Sequence, residues 1–150
     1  MKIFSPEGFS ILMLDYSGKE GYIHKIIKEI IYNFNIKGSP IVYNNEDAFM
    51  ELLMNDPPIN LIILNMDHLT MDAFEFVLMI RKSGEFMAFH DVPIFLVVEG
   101  NRAHDIFELQ HIKINAFLQK PVSAQDIKQA MMALSSPAKK TSASKKTKKS

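Results

Sequence analysis

The sequence predicts an α/β domain with a doubly wound, five-stranded parallel sheet. Short runs that are apolar throughout alternate with segments of helical period, and this alternation repeats five times before Leu134. Strands that are apolar on both faces are typical of a parallel sheet covered by helices on both sides, and repeated strand–helix units form such a sheet through right-handed crossovers. The length of 150 residues, with 47% hydrophobic residues, suits one domain with one well-filled core.

The five strands are predicted from the apolar runs. The clearest runs are FSILML at residues 9–14, INLIIL at residues 59–64 and VPIFLVV at residues 92–98. Shorter runs at residues 40–43 and 115–118 complete the set. Asp15 closes the first strand and Asn65 closes the third.

Five amphipathic helices are predicted between and after these strands, over residues 22–34, 46–53, 72–82, 102–110 and 124–134. Asn45 is a suitable N-cap for the second helix. Ser123 and Asp126 form a capping box at the start of the fifth, with Val122 and Ile127 as a hydrophobic staple.

Charge divides the chain into a domain, residues 1–134, and a tail, residues 135–150. The whole chain is neutral, but the tail SSPAKKTSASKKTKKS holds six lysines and no acid, which leaves a net charge of −6 on the domain. We expect the tail to be disordered because it has no large apolar residue to bury. The absence of cysteine excludes disulfides and thiol nucleophiles.

The chain contains no apolar run of the ~18 residues needed to cross a bilayer, and no stretch long enough for the core of a signal peptide. We therefore expect a cytoplasmic protein that makes no contact with a membrane.

The functional crevice of a doubly wound sheet lies at the carboxyl ends of its strands. The residues that end the predicted strands are Asp15 and Tyr16 after the first, Asn65 after the third, Val98 in the fourth and Lys120 after the fifth. We expect these side chains to surround one pocket.

Three segments of the sequence carry a resemblance to a known family. LIILNMDHLTMDAFEF at residues 61–76 resembles the segment of bacterial response-regulator receiver domains in which a phosphoacceptor aspartate ends the third strand; Asn65 occupies that position. Residues 117–121, FLQKP, are similar to the Lys-Pro ending of the family's fifth strand, and Asp15 matches one of two acids after the first. The resemblance extends over residues 9–134 and implies the flavodoxin-like (βα)5 receiver fold.

The family's chemistry uses two acids, an acceptor aspartate, a Ser or Thr hydroxyl and a lysine. Only Asp15 and Lys120 match; Tyr16 replaces the second acid, Asn65 the acceptor, and Val98 the hydroxyl. A carboxamide is a poor nucleophile and cannot form the acyl phosphate. The resemblance therefore implies an atypical receiver that is not phosphorylated and is not an enzyme.

Mg²⁺ binding is expected to be weak or absent, because Mg²⁺ prefers hard, anionic oxygen ligands and two of the carboxylates are replaced. Asp15 is the only clear side-chain carboxylate left at the metal-holding positions. Asp67 is a candidate substitute acceptor, although the family uses its position for a backbone contact with the metal.

The resemblance implies a protein-interaction module of two-component signalling, with a histidine kinase, an output protein or another receiver as partner. Receivers pair and signal through the face of the fourth helix, fifth strand and fifth helix, here around Phe107, Phe117 and Met132, and a homodimer could use the same face. Phe117 is either a switching aromatic or plain core, and the core interpretation is favoured because Phe has no hydroxyl group that gains from facing water. A structural ion pair between Asp15 and Lys120 is expected in the altered pocket.

Two other functions stay open. A nucleotide- or flavin-binding protein could use the same fold, although Ser17-Gly18-Lys19 lacks the residues of a phosphate-binding loop, and a colourless protein without nucleotide absorbance would argue against it. The lysine tail, which resembles the tails of linker-histone-type proteins, could associate with nucleic acid.

If the tail binds DNA, lysines without aromatic or arginine neighbours neutralise phosphates but do not read bases, so binding should be independent of sequence. We expect a log–log salt slope of up to roughly −5 for six contacts. The slope is measured by fluorescence anisotropy over a salt series, with a chain lacking residues 135–150 as the control. Binding that survives the deletion would assign the activity to the domain.

Overall fold

The computed structural model describes residues 9–38, 40–55, 57–65, 73–98 and 112–134. Five parallel strands form one sheet in the order β2-β1-β3-β4-β5. The strands are β1 Ile11–Asp15, β2 Ile41–Tyr43, β3 Leu61–Asn65, β4 Ile94–Val98 and β5 Ala116–Gln119. The predicted fold class is confirmed, and every predicted strand is present.

Four α-helices flank the sheet in the described part of the chain: α1 Tyr22–Asn33, α2 Glu46–Leu53, α3 Ala73–Lys82 and α4 Ala124–Leu134. The helix predicted at residues 102–110 and the predicted tail lie outside the described residues, and α4 is therefore the fifth helix of the sequence prediction. None of the helices in the described ranges is long and apolar enough to cross a membrane.

The predicted helix starts are confirmed by their hydrogen bonds. Asn45 Oδ1 accepts from Ala48 N at 2.8 Å at the start of α2. At the start of α4, Ser123 Oγ accepts from Asp126 N at 3.0 Å, and Asp126 Oδ2 accepts from Ser123 N at 3.3 Å. Polar side chains thus satisfy backbone N–H groups that the first turn leaves without partners.

The sheet is buried on both faces, which is why its strands are apolar at consecutive positions. Alternate residues of β1, β3 and β4 point to opposite sides. One side packs against α2 and α3, with Leu12, Ile62 and Leu96 among its strand residues. The other packs against α1 and α4, with Met13 and Ile63 among them.

A 3-10 turn that the sequence did not predict, Gly84–Phe89, follows α3. Phe86 and Phe89 are buried in the core beneath α3. The segment is too short to show helical period, so its apolar residues gave no recognisable pattern.

Arg81, in the last turn of α3, is buried and donates hydrogen bonds to two separate loops. Its Nη1 donates to the carbonyls of Phe89, His90 and Val92 at 3.0, 3.0 and 2.7 Å, ahead of β4. Its Nε donates to the carbonyl of Lys113 at 2.9 Å, ahead of β5. Burial lowers the pKa of the Arg81 guanidinium, and Asp91 acts in the opposite direction.

Asn115 extends this network into the sheet. Its Oδ1 accepts from Ile94 N at 2.9 Å and from Arg81 Nη2 at 3.4 Å. Arg81 therefore fixes the chain at the amino ends of both β4 and β5.

The buried face of α1 contains one histidine. His24 is buried, and its Nδ1 has no hydrogen-bond partner within the described ranges. Burial lowers the pKa of His24 below its usual 6.5, and the nearby Lys28 and Lys19 also lower it. A backbone hydrogen bond with Lys19 and the charge of Asp15 act in the opposite direction.

Arg81→Ala is expected to lower the free energy of unfolding by more than ~3 kcal/mol, because it leaves several buried carbonyls without donors. Arg81→Lys should recover only part of this loss, since an ammonium group cannot reproduce the planar guanidinium fork. Lys82→Ala, an exposed neighbour on α3, is the control and should change the value by less than ~0.5 kcal/mol. Urea denaturation measures all three; an Arg81→Ala value near that of the control would contradict the assignment.

The lowered pKa of His24 predicts that the domain loses stability in mild acid. A folded-state pKa below 6.5 means that the unfolded chain binds the proton first, so the free energy of unfolding falls as the pH drops below about 6.5. The loss is complete once the pH is below the folded-state pKa. Between pH 7.5 and 5.5, the Tm of His24→Gln should fall less steeply with decreasing pH than the Tm of the unaltered chain. Asn33→Gln, at an exposed residue of the same helix that does not titrate, is the control and should keep the original slope.

Candidate functional site

The carboxyl ends of four adjacent strands bring the predicted site residues to one edge of the sheet. Asp15 lies opposite Asn65 in the register of β1 and β3, and Asn65 lies opposite Val97 in the register of β3 and β4. Lys120 directly follows β5, and its N–H donates to the carbonyl of Val98 at 2.9 Å. Asp15, Asn65, Val98 and Lys120 therefore occupy neighbouring strand ends, as predicted.

The Asp15 carboxylate is turned towards the loop that follows β1. It is buried, and its Oδ1 accepts from Ser17 N at 2.9 Å. Gly21 lies on its other side, where an added Cβ would stand 3.3 Å from Asp15 Oδ2 and 3.0 Å from Ser17 Cβ. The absence of a side chain at Gly21 thus lets the loop close around this carboxylate.

The Asn65 side chain is 4% exposed, and its Oδ1 has no hydrogen-bond partner in the described part of the chain. A buried acceptor without a donor is costly. The end of β3 therefore presents a neutral amide oxygen beside the Asp15 carboxylate, with no charge of its own and no nucleophilic character.

The other two departures from the family pattern differ in exposure. Tyr16 is 45% exposed at the rim of the pocket, whereas Val98 is buried. The position that requires a hydroxyl for receiver chemistry thus holds an apolar side chain in the core. Asp67, the candidate substitute acceptor, lies outside the described residues.

The ion pair between Asp15 and Lys120 stays a prediction. The contact that the structure describes for the Asp15 carboxylate is local: its Oδ1 accepts from the backbone N–H of Ser17. A hydrogen bond links the start of α1 to the loop after β5: Tyr22 Oη accepts from Val122 N at 3.1 Å. Sequence reasoning missed Tyr22 because the spacing of this residue indicated only a place on the amphipathic face of α1.

The donors that the described residues place at this edge do not fit the Mg²⁺ of the family's chemistry. Asp15 is the one carboxylate placed there by the described residues, and a backbone N–H already donates to it. Within the described ranges, no three His, Cys, Asp or Glu side chains are grouped so that they could hold a metal ion.

The predicted interaction face is described in part. Phe117 is half-buried and packs against the core beneath α2 and α3, in agreement with the core interpretation. Met132 is exposed on α4. An open groove of about 630 Å³ runs between β5 and α4, lined by residues 116–119, Asp126, Gln129 and Ala130. Phe107 lies outside the described residues.

No protein-family model matches the sequence, and no curated protein matches it. Solved structures do match. The chemotaxis response regulator CheY4 of Vibrio cholerae has a TM-score of 0.66 and 14% identity over 85% of this chain and 98% of that chain. A signal receiver domain of a two-component histidine kinase from Clostridium thermocellum has a TM-score of 0.68 and 16% identity over 85% of this chain and 97% of that chain.

A response regulator receiver protein from Pseudomonas putida is similar at a TM-score of 0.64, with 15% identity over 84% of this chain and 97% of that chain. At such identities the likeness shows the fold alone. The chain therefore has the flavodoxin-like fold of the response-regulator receiver domains, with its five parallel strands in the order that this fold requires.

Proposed function

We propose that this chain is a receiver-fold signalling domain that binds a protein partner without being phosphorylated. The observation that carries the proposal is Asn65, a buried neutral amide at the end of β3, where a receiver presents its phosphoacceptor carboxylate. The fold supports a two-component setting, and we expect the domain to meet its partner in the cytoplasm.

The chemistry of phosphoryl transfer supports the proposal. A receiver aspartate attacks phosphorus with a charged oxygen, and the acyl phosphate that forms is held by a metal ion, a hydroxyl and a lysine. The Asn65 amide oxygen carries no such charge, and Val98 supplies no hydroxyl. We therefore assign no catalytic residue to this pocket.

Weak or absent Mg²⁺ binding belongs to the same proposal. Tight magnesium sites use several anionic oxygens. The Asp15 carboxylate accepts from Ser17 N, and the pocket offers beside it a neutral amide oxygen. Isothermal titration with Mg²⁺ should show no saturation at sub-millimolar metal.

The chain should remain unmodified when it is incubated with acetyl phosphate and Mg²⁺ and weighed intact. The triple variant Asn65→Asp, Tyr16→Asp, Val98→Thr restores the missing groups and should gain one phosphate. Asn44→Asp, at an exposed position, is the matched control for an added carboxylate and should stay unmodified.

A phosphate adduct on the unaltered chain would contradict the proposal. Peptide mapping would then decide whether Asp67 carries it. A triple variant that folds but takes no phosphate would show that the pocket lacks more than these three groups.

The partner is a histidine kinase, an output protein or another receiver, and its docking face is formed by β5 and α4. The support is the exposed Met132, the half-buried Phe117 and the groove between the two elements. Small residues, Ala116 and Ala130, line this groove and leave room for a partner side chain.

Met132→Glu should reduce partner binding at least tenfold, because it places a charge in an apolar contact. Met87→Glu makes the same substitution at an exposed methionine in the turn after α3, away from β5 and α4, and is the control. Affinity capture from the native cell identifies the partner, and titration with the purified partner measures both variants. Equal effects of the two substitutions would remove Met132 from the docking face.

A further inference from the structure

The groove between β5 and α4 follows the edge of the sheet. Every residue of β5, 116–119, lines it. Neighbouring residues of a strand point to opposite faces of the sheet, so a groove that all of them touch runs along the edge of the strand and not over one face. β5 pairs only with β4 among the described strands, and its other side is therefore an edge of the sheet.

The opposite wall of the groove is one stripe of α4. Asp126, Gln129 and Ala130 have the i, i+3, i+4 spacing of neighbours on one helix face. Two of these side chains are polar, and Ala130 is small, as is Ala116 on the strand side. The groove therefore combines a strand edge with hydrogen-bonding side chains and with space between the two walls.

The edge of β5 is suited to pairing with another strand. Backbone N–H and C=O groups that point away from the sheet at an edge strand can bond to an extended segment of another chain. Charged residues and proline are common protection against such pairing. The sequence of β5, AFLQ, contains neither.

The charge of this region indicates the chemistry of the segment that pairs there. The exposed Asp126 carboxylate accepts from Ser123 N through Oδ2, and a carboxylate has the capacity to accept further hydrogen bonds. The domain as a whole carries a net charge of −6. A second copy of the domain would bring like charges together at this edge, whereas a basic segment is complementary to it.

We propose that β5 and α4 bind an extended, basic segment of the partner protein, which adds to β5 as a sixth strand. This inference rests on the proposed docking face and names the chemistry of its occupant. Every second side chain of the added strand faces α4. These positions hold a lysine or arginine beside Asp126 and a small or apolar residue beside Ala130.

The probe for this proposal is a library of random short peptides displayed on phage and selected against the full chain. We expect the enriched peptides to carry basic and β-branched residues at alternate positions. Titration with a selected peptide should shift the backbone amide signals of residues 116–119. Enriched peptides with apolar residues at helical spacing, or shifts that avoid β5, would overturn the proposal.

Two N-methylated forms of the selected peptide test the main-chain pairing. Every second N–H of the added strand points to β5, so methyl groups on that set should weaken binding at least tenfold. Methyl groups on the alternate set should leave the affinity within about twofold of the original. Equal effects of the two forms would show that the peptide does not bind as a strand.

Asp126→Asn tests the charge of the groove while it keeps a side-chain oxygen that can accept from Ser123 N. It should weaken peptide binding about threefold, and the difference should disappear at high salt. Asp47→Asn, at an exposed acid in the first turn of α2, is the control and should leave the affinity unchanged. Equal effects of the two variants would contradict a basic contact at Asp126.

The proposed function and the added strand fail in different ways. A library without enriched peptides, beside a natural partner that binds through Met132, would overturn the added strand and leave the proposed function intact. Self-association of the chain through β5 would assign the edge to a second copy and also overturn it. A phosphate adduct on the unaltered chain would contradict the proposed function and would not change peptide binding at β5.

Discussion

The guanidinium group of Arg81 provides the constraint on which the second half of the sheet depends. Parallel neighbours are joined by long crossovers, so no tight turn sets where β4 and β5 begin. Arg81 donates to carbonyls ahead of both strands, and Asn115 accepts from Arg81 and from the first residue of β4. The starts of β4 and β5 are thereby fixed relative to α3. Their far ends then bring Val98 and Lys120 beside the ends of β1 and β3.

The fold was predictable because a sheet that is packed on both faces needs strands with consecutive apolar residues, and such runs are visible in the sequence. Strands such as Leu61–Asn65 are apolar at every position before the last, and the caps at Asn45 and Ser123 use side chains with few other roles. Arg81 was not predictable, since a charged residue in the last turn of an amphipathic helix is usually solvated. Its main partners are backbone carbonyls of two loops, and every residue has a backbone carbonyl, so residue identity does not reveal them.

Sequence reasoning brought Asp15, Asn65, Val98 and Lys120 to neighbouring strand ends, but it did not reveal how the Asp15 carboxylate is held. Strand ends determine which residues meet, so Asp15 and Asn65 lie side by side as predicted. The direction of the Asp15 carboxylate depends on the backbone of Ser17 and on the space at Gly21, two local details that opposite charge alone does not reveal. The loop after β1 therefore holds the Asp15 carboxylate in place.

The separation of Arg81 from the pocket has a consequence for how this domain tolerates change. Arg81 secures the sheet at the amino ends of the strands, whereas Tyr16 and Asn65 lie at the carboxyl ends, a strand length away. Substitutions at the pocket are therefore largely decoupled from the interactions that hold the sheet together, because distant sites with no shared partners contribute independently. Residues at this end of the molecule can therefore be exchanged under weak constraint from folding.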